Sequence, residues 1–574
     1  MKIPSWTQKK EVTYAVVILF MVGFGFFSLW QNSTTNLMFD EGGHIFAGYS
    51  FLKTGEYAGK GNEVHPPLSK VVSGLPLLFM DLNDEILSTS WQKEHYQHSA
   101  IRFMYEDNLE RVDAIVFWSR IPLILLGMLL VFVVFVVGRS MFGRSAGLLA
   151  SFLTGFSPTI IANTPIVYND LIFSLAVVLF VWRLYAYTQK ASNRNVVWLG
   201  LSLAFAFLTK FTAILLLGSG FLVLLYVLFF QKAAPGNLKY ALEKSRRSRR
   251  KSWVLILHGV LVVLLFCFLV NLSYLFQGSF QPLVFSEEEM EIIEGTSLPY
   301  KEEMLELAAF PSVFPTSYVK GVSYHMWKNQ KSETYLFGEK STEGYWYYYL
   351  VALLVKTPLA FLILFFWALG YVLWRKRLLI EKNLHLLFPV IVILGAFSFL
   401  STKQIGIRYV MAVLPLIYLF IGNLFDGVVL KRVDLKLGLV KVLCLWYLVA
   451  LILIAPFTMS YFNELVGPSE GYRVLLDNNV DLNQGLKRVS AFVQEEGFVD
   501  YRFSYLGENS PKFFDVAVYG IDAEPVPCEP TVGVFVIGAA KMKTDCHRWL
   551  LEYVPVQQFE YSFHVYDIKK LKKI

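Results

Sequence analysis

The sequence predicts a polytopic α-helical membrane protein of about eleven spans with a small extracytoplasmic α/β domain at its carboxyl end. Three observations predict it. Apolar residues make up 55% of the 574 and charged residues 17%, at a mean hydropathy of +0.48; soluble domains carry about 25% charged residues. The apolar residues arrive in uninterrupted blocks of about 20, long enough to cross a bilayer as helices. Basic residues cluster in alternate connections between those blocks, as membrane topology demands. Disorder, a disulfide scaffold and an ordinary cytosolic enzyme are excluded.

The blocks lie near 12–30, 113–137, 146–163, 170–188, 195–209, 211–230, 253–276, 347–373, 384–401, 408–425 and 439–460. The first is too long for a signal-peptide core and no small-residue cleavage site follows it, so it reads as a retained span. With a cytoplasmic amino terminus, Arg139, Arg144, Lys190, Arg194, the run Arg246 to Lys251, Arg375-Lys376-Arg377 and Lys431-Arg432 all fall inside. The outer connections hold few cations beyond Lys210, Lys403 and Arg408. The net charge of +7 is this same bias. The run at 245–251 reads as a topology determinant touching anionic lipid headgroups, not as a nucleic-acid site.

An odd number of spans places three large segments outside: a first loop at about 31–112, a second at about 277–346, and the terminal region 461–574. Residues 1–460 thus form the transmembrane domain and 461–574 the exported one. In the latter, 499–506, 531–538 and 558–567 read as strands, and 483–496 and 545–553 as helices. Cys267 and Cys444 fall inside spans as small apolar residues. Cys528 and Cys546 bracket a strand of the exported domain, where oxidation is permitted, and are expected to pair.

The first loop opens with Asp40-Glu41-Gly42-Gly43-His44 and continues through Gly48-Tyr49, Thr54-Gly55-Glu56-Tyr57 and His65-Pro66-Pro67-Leu68 with Lys70. Two adjacent carboxylates just past a span end sit at the outer membrane boundary. The paired prolines force an extended turn, after which 69–80 reads as an interfacial helix. In this order the motifs resemble the first extracytoplasmic loop of GT-C glycosyltransferases of the protein-O-mannosyltransferase and aminoarabinose-transferase type. The resemblance continues in Gly338-Glu339-Lys340-Ser341, Gly344 to Tyr349, Lys356-Thr357-Pro358, Ile405 to Tyr409 and Tyr461-Phe462-Asn463, covering nearly the whole chain. One departure stands near its end. Relatives often read Asp-Ser-Asn-Leu-Asp-Trp-Gly-Gln where this chain reads Asp477-Asn478-Asn479-Val480-Asp481-Leu482-Asn483-Gln484.

The resemblance implies a polyprenyl-phosphate sugar donor and makes Asp40 the base that takes the acceptor's proton. Glu41 is its neighbour and could orient the acceptor. Glycosyl transfer needs such a carboxylate near the anomeric carbon. The leaving phosphate stays with its lipid at the outer headgroup level and needs cations there. Lys210, Lys356 and Arg408 lie at outer span ends, and Arg120 sits about two turns inside the second span. Arg120 requires an anionic partner or a polar cavity, because a cation at mid-membrane costs about 2.5–3.5 kcal/mol. Asp170, in Tyr168-Asn169-Asp170, resembles the second acidic residue that some relatives use for a divalent metal, and it suits a helix cap equally well. The histidines His44, His65, His95 and His98 show no zinc spacing. The aromatic run 345–349 is expected to form an interfacial belt.

The expectation is therefore an inverting membrane glycosyltransferase of a bacterial or archaeal plasma membrane. It would move a sugar to a protein, lipid or glycan acceptor on the outer face. The rivals are a transporter or lipid flippase and a non-catalytic subunit of a glycan assembly complex. No paired Gly/Pro-broken spans in two related halves favour the transporter.

Overall fold

A computed structural model describes residues 10–246, 249–285, 287–294, 302, 305–306, 310–327, 333–376, 380–425, 433–498, 500–507, 521 and 523–571. Arg247, Ser248, Arg377, Lys431 and Arg432, all named in the charge bias, lie outside the described residues.

A backbone with no water to bond must close its hydrogen bonds internally, so the apolar blocks become helices. Among the described residues seven helices are long and apolar enough to cross a membrane, from Glu11–Thr34 to Lys436–Ile454. An eighth results if Tyr348–Lys356 and Leu359–Trp374, bent by 115° at their junction, count as one span. The other expected spans are short or broken. Asn193–Thr209 has 17 residues. The block at 146–163 splits into Arg144–Gly155 and Pro158–Asn163, and the block at 408–425 is a turn, Ile407–Val410, followed by the short helix Val413–Ile421. Proline explains two of the breaks. The residue before a proline is driven out of the helical region, and both Ser157 and Thr357 are extended. Ser157 then caps the next helix, its Oγ accepting from the Ile160 amide at 3.3 Å.

The first loop folds against the end of this bundle. Its helices Glu41–Thr54 and Leu68–Gly74 cross so closely that a Cβ on Gly48 would lie 1.9 Å from the Lys70 carbonyl oxygen. Only glycine fits there, which gives the Gly48-Tyr49 motif its physical meaning. In the second loop β1 (Thr334–Leu336) and β2 (Glu339–Ser341) form an antiparallel hairpin, with Tyr335 opposite Lys340.

The terminal region carries β3 (Tyr501–Ser504), β4 (Gly533–Gly538), β5 (Gln557–Phe559) and β6 (Phe563–Ile568) in the order β3-β4-β6-β5. The β3–β4 pair is parallel and the others are antiparallel. The expected strand 558–567 is thus a hairpin, because Glu560 and Tyr561 adopt φ of 53° and 59° and turn the chain. Helix Leu486–Glu495 buries Leu486, Val489, Ser490 and Val493, the stripe an amphipathic helix presents to a core. The helix expected over 545–553 is a short 3-10 helix, Arg548–Glu552, preceded by a turn.

The first loop, the second loop and the terminal region meet at one end of the bundle. The Phe39 amide donates to Leu482 O at 3.1 Å and the Asn36 side chain to Asn483 O at 2.8 Å. Lys340 pairs with Asp545 at 2.8 Å.

Cys528 and Cys546 form the expected disulfide, across a sequence separation of 18. In the chain-entropy model, closing such a loop stabilises by about 3 kcal/mol. Intact-mass analysis of unreduced protein should therefore find one bond, and reductant should add two hydrogens and lower the thermal midpoint. Two free thiols in unreduced protein would remove the assignment.

Two acids of this region give it a pH dependence. Asp481 is fully buried, accepts from the Asn483 and Ala540 amides at 2.8 and 3.4 Å, and is pushed by burial up to about 7. Burial likewise takes Glu560 to about 7, against the pull of Arg488 at 2.9 Å. The folded state holds these protons more tightly than the unfolded one. Their contribution is therefore full below about pH 4 and is lost as pH rises through 7. His564, held to about 3 by burial, has the opposite sign and loses stability as pH falls below about 6.5. The readout is thus comparative: Asp481→Asn with Glu560→Gln should flatten the fall in melting temperature between pH 5 and 8. An unchanged slope would assign the pH response to other groups.

Candidate active site

Asp40 begins the helix Glu41–Thr54 in a left-handed conformation, φ 65°, and its side chain makes no cap hydrogen bond. Instead the Gln97 amide donates to Asp40 Oδ1 at 2.6 Å. The carboxylate lies on the wall of a small cavity with Leu37, Met38, Gly43, Gln97 and Met104. Gln97 carries no sequence motif, so only the fold reveals that it positions Asp40.

Glu41, one residue away, has a different environment. It is fully buried and grips Arg120 with two hydrogen bonds, Nε to Oε1 at 2.8 Å and Nη2 to Oε2 at 2.6 Å. Its oxygens also accept from the Met38 and Val167 amides, both at 3.0 Å. Arg120 spends its remaining donors on Asn32, Thr35 and Asn36. Two sequence expectations are corrected together. Glu41 does not face an acceptor and Arg120 does not face a phosphate; each is the other's counter-ion.

Lys356 is corrected too. Its ammonium donates to the Met459 and Asn479 carbonyls at 2.8 and 2.6 Å and lies 4.4 Å from the Phe462 ring centre. It staples the end of its helix to the segment that follows the last span, fully inside the protein.

Lys210, Arg408 and Asp170 do converge. Lys210 Nζ lies 2.6 Å from Asp170 Oδ1 and Arg408 Nη1 lies 3.6 Å from Oδ2. With the Asn478 amide turned oxygen-first, Arg408 Nε and Nη2 both donate to it at 2.9 Å. The guanidinium also covers the Tyr168 ring at 4.1 Å. Tyr168 in turn donates its hydroxyl to the Phe39 carbonyl, beside Asp40. The cation cluster and the first-loop aspartate are therefore joined through one tyrosine. Asp170 opens its helix, and the Lys210 and Arg408 cations face it. Among the described residues no group of three or more His, Cys, Asp or Glu side chains could hold a metal ion.

The His-Pro-Pro turn completes the surround. Lys70 Nζ donates to Asn62 O at 2.6 Å, Asn62 Oδ1 at 2.7 Å, the Tyr57 hydroxyl at 3.0 Å and His65 O at 3.3 Å. Burial pulls its ammonium down to about 7. This knot fixes the loop that leads into Pro66 and Pro67, and sets the His65 ring 5.5 Å from that of His44. Burial first, then neighbouring positive groups, hold both imidazoles well below their ordinary range, so they are neutral. Their Nδ1 atoms are buried without protein partners, which makes them polar groups turned to the interior of this region.

Of the aromatic run, only part forms a belt. Trp346 is 58% exposed, while Tyr348 and Tyr349 are buried. The Tyr348 hydroxyl accepts from Asn479 at 2.9 Å.

Comparisons with known proteins follow this geometry. Among solved structures, ArnT from Cupriavidus metallidurans bound to undecaprenyl phosphate is similar at 12% identity, over 96% of this chain and 97% of that one, with a TM-score of 0.45. The oligosaccharyltransferase AglB from Archaeoglobus fulgidus, in complex with an inhibitory peptide and a dolichol-phosphate, is similar at 11% identity over 94% and 70%, with a TM-score of 0.44. No curated protein is significantly similar in sequence. Residues 116–274, which contain Arg120, Asp170 and Lys210, match the model of the dolichyl-phosphate-mannose-protein mannosyltransferase family. That match agrees with the protein-O-mannosyltransferase resemblance over 116–274, while the ordered motifs lie on either side of it.

Proposed function

We propose that this chain is a membrane glycosyltransferase that moves a sugar from a polyprenyl-phosphate donor to an acceptor at the outer membrane face. The observation that carries the reading is the juxtaposition of Asp40 with the Lys210–Asp170–Arg408 cluster through Tyr168. A carboxylate beside a cation pair is what the reaction requires. One takes the acceptor's proton while the other receives the charge developing on the leaving phosphate. Two cations against one aspartate leave a positive excess for the donor. Attack from the Asp40 side with departure toward the cations inverts the anomeric centre. The charge bias of the connections supports an outer location for this end of the bundle and for the terminal region, with the amino terminus in the cytoplasm. The acceptor is a protein, lipid or glycan.

The test is transfer from radiolabelled polyprenyl-phosphate sugar in liposomes. Lys210→Met and Arg408→Lys should each raise the donor KM about ten-fold or more, while leaving expression intact. Arg408→Lys is informative because a point charge cannot reproduce the guanidinium's paired contacts. Unchanged donor KM in both variants would return these residues to a purely structural role.

A further inference from the structure

Away from Asp40, the same end of the molecule holds a cavity of 610 Å³ between the β1–β2 hairpin, Arg473 and the short helical turn Arg548–Glu552. Tyr335, Phe337, Arg473, Arg548, Trp549 and Glu552 line it. Its volume lies in the ordinary range of small-molecule sites, about 300–1,000 Å³.

Phe337 is one of several exposed apolar residues at positive φ, with Leu275, Phe276 and Phe280, and the one of them that lines this cavity. With Gly338 it makes the two-residue turn of the hairpin, at φ of 51° and 84°. Such turns favour Asn, Asp or Gly at the first position, since a bulky side chain there is strained. The ring gains no burial in return, being 57% exposed. Yet the turn is pinned. The Phe337 amide donates to Val474 O at 3.0 Å and Arg548 donates to Gly338 O at 2.6 Å. Strain held in place with no gain in packing points to a bound partner.

We propose that this cavity is a carbohydrate-binding cleft that seats a hexopyranose unit of the acceptor, with Phe337 as its stacking platform. The proposal rests on the glycosyltransferase reading and names the acceptor class as a glycan. A pyranose ring offers an apolar C–H face and a rim of hydroxyls. Phe337 meets the face, and the Arg473, Arg548 and Glu552 side chains supply donors and an acceptor to the rim. The two guanidiniums, 39% and 40% exposed, are already oriented. Arg473 is held by Glu470 at 2.9 Å and Leu551 O at 3.1 Å, and Arg548 by Glu339 at 3.2 Å. The Trp549 indole is fixed by Pro527 O at 3.1 Å. Such preorganisation lowers the entropy cost of binding. The lining carries Arg473, Arg548 and Glu552, and both arginines are already paired, with Glu470 and Glu339.

The experiment uses the full chain in lipid nanodiscs, since glycoside detergents would compete. The probes are methyl α-mannopyranoside, methyl β-glucopyranoside, methyl β-galactopyranoside and α-linked mannobiose, read by saturation-transfer NMR. At least one should bind with a dissociation constant on the order of 1 mM. Asp40→Asn should bind it equally well. Phe337→Gly should weaken binding about ten-fold and, by relieving the turn, raise the melting temperature. Glu552→Gln serves as the second variant should Phe337→Gly fold poorly, and should weaken binding as well. No binding by any probe, undiminished binding by the variants, or binding of sugar-free peptides in place of the probes would overturn the proposal. Sugar binding without transfer from a lipid donor would leave the cleft standing and defeat the glycosyltransferase reading. Transfer without sugar binding would do the reverse.

Discussion

Glu41→Gln and Arg120→Met should each destabilise the protein by about 3–5 kcal/mol, because each strands a charge that has no solvent. Both side chains are completely buried and joined by two hydrogen bonds. Removing the guanidinium leaves a carboxylate bonded only to the Met38 and Val167 amides. Removing the carboxylate charge leaves a cation among the Asn32, Thr35 and Asn36 oxygens. The double variant should recover only part of the loss, since those amides and carbonyls lose partners as well. Fluorescence-detected size exclusion and thermal unfolding in detergent measure it. What folded protein remains should retain most of its transfer rate per molecule if the pair only holds the loop to the bundle. A stable Glu41→Gln variant with abolished transfer would instead put Glu41 in contact with the substrate.

That pair shows where reading from sequence stops. The need for a counter-ion was legible in Arg120 alone, from the cost of a charge inside a span. The partner was not, because Glu41 stands 79 positions away and nothing local distinguishes it from Asp40. The two carboxylates look equivalent in sequence, and a single φ of 65° at Asp40 sends them to different places. Lys356 misled for a related reason. A lysine at a span end reads as a headgroup cation, but the chain after the last span folds back and covers it with carbonyl oxygens.

The apolar blocks were legible because hydropathy needs no register, and so were the amphipathic helix at 486–495 and the disulfide. Continuity was less so. Hydropathy counts residues without asking whether the backbone bonds run through, and Pro158 and Pro358 interrupt them inside apolar text. Turn chemistry hid the hairpin at Glu560-Tyr561, where neither residue is the glycine or asparagine that would announce it. In the candidate site, Asp40, Lys210, Arg408 and Asp170 were each visible as charges at span ends. Their convergence through Tyr168 is a property of the fold.

Asp40→Asn should lower transfer by about 100- to 10,000-fold, the usual worth of a positioned general base. The substitution keeps the size of the side chain and lets Gln97 still donate to the remaining oxygen, as it does now at 2.6 Å. It removes the one atom able to take the acceptor's proton. The loss should fall on kcat, with donor KM little changed, because the cations on the far side of Tyr168 are untouched. Asp40→Glu keeps the charge but carries it one methylene further from the strained turn that aims it, and should retain only a small part of the rate. Gln97→Ala should fall between wild type and Asp40→Asn, since it frees the carboxylate to rotate without changing its chemistry. Gln97 thereby separates positioning from proton transfer. Its effect should persist at saturating acceptor, as that of Asp40→Asn does, but be smaller, because aligning the base acts on kcat without removing it. The measurement is radiolabelled sugar transfer in liposomes across acceptor concentrations. Near-normal turnover by Asp40→Asn would move the base to another carboxylate of this end, of which Asp170, already neutralised by Lys210 and Arg408, is the poorest candidate.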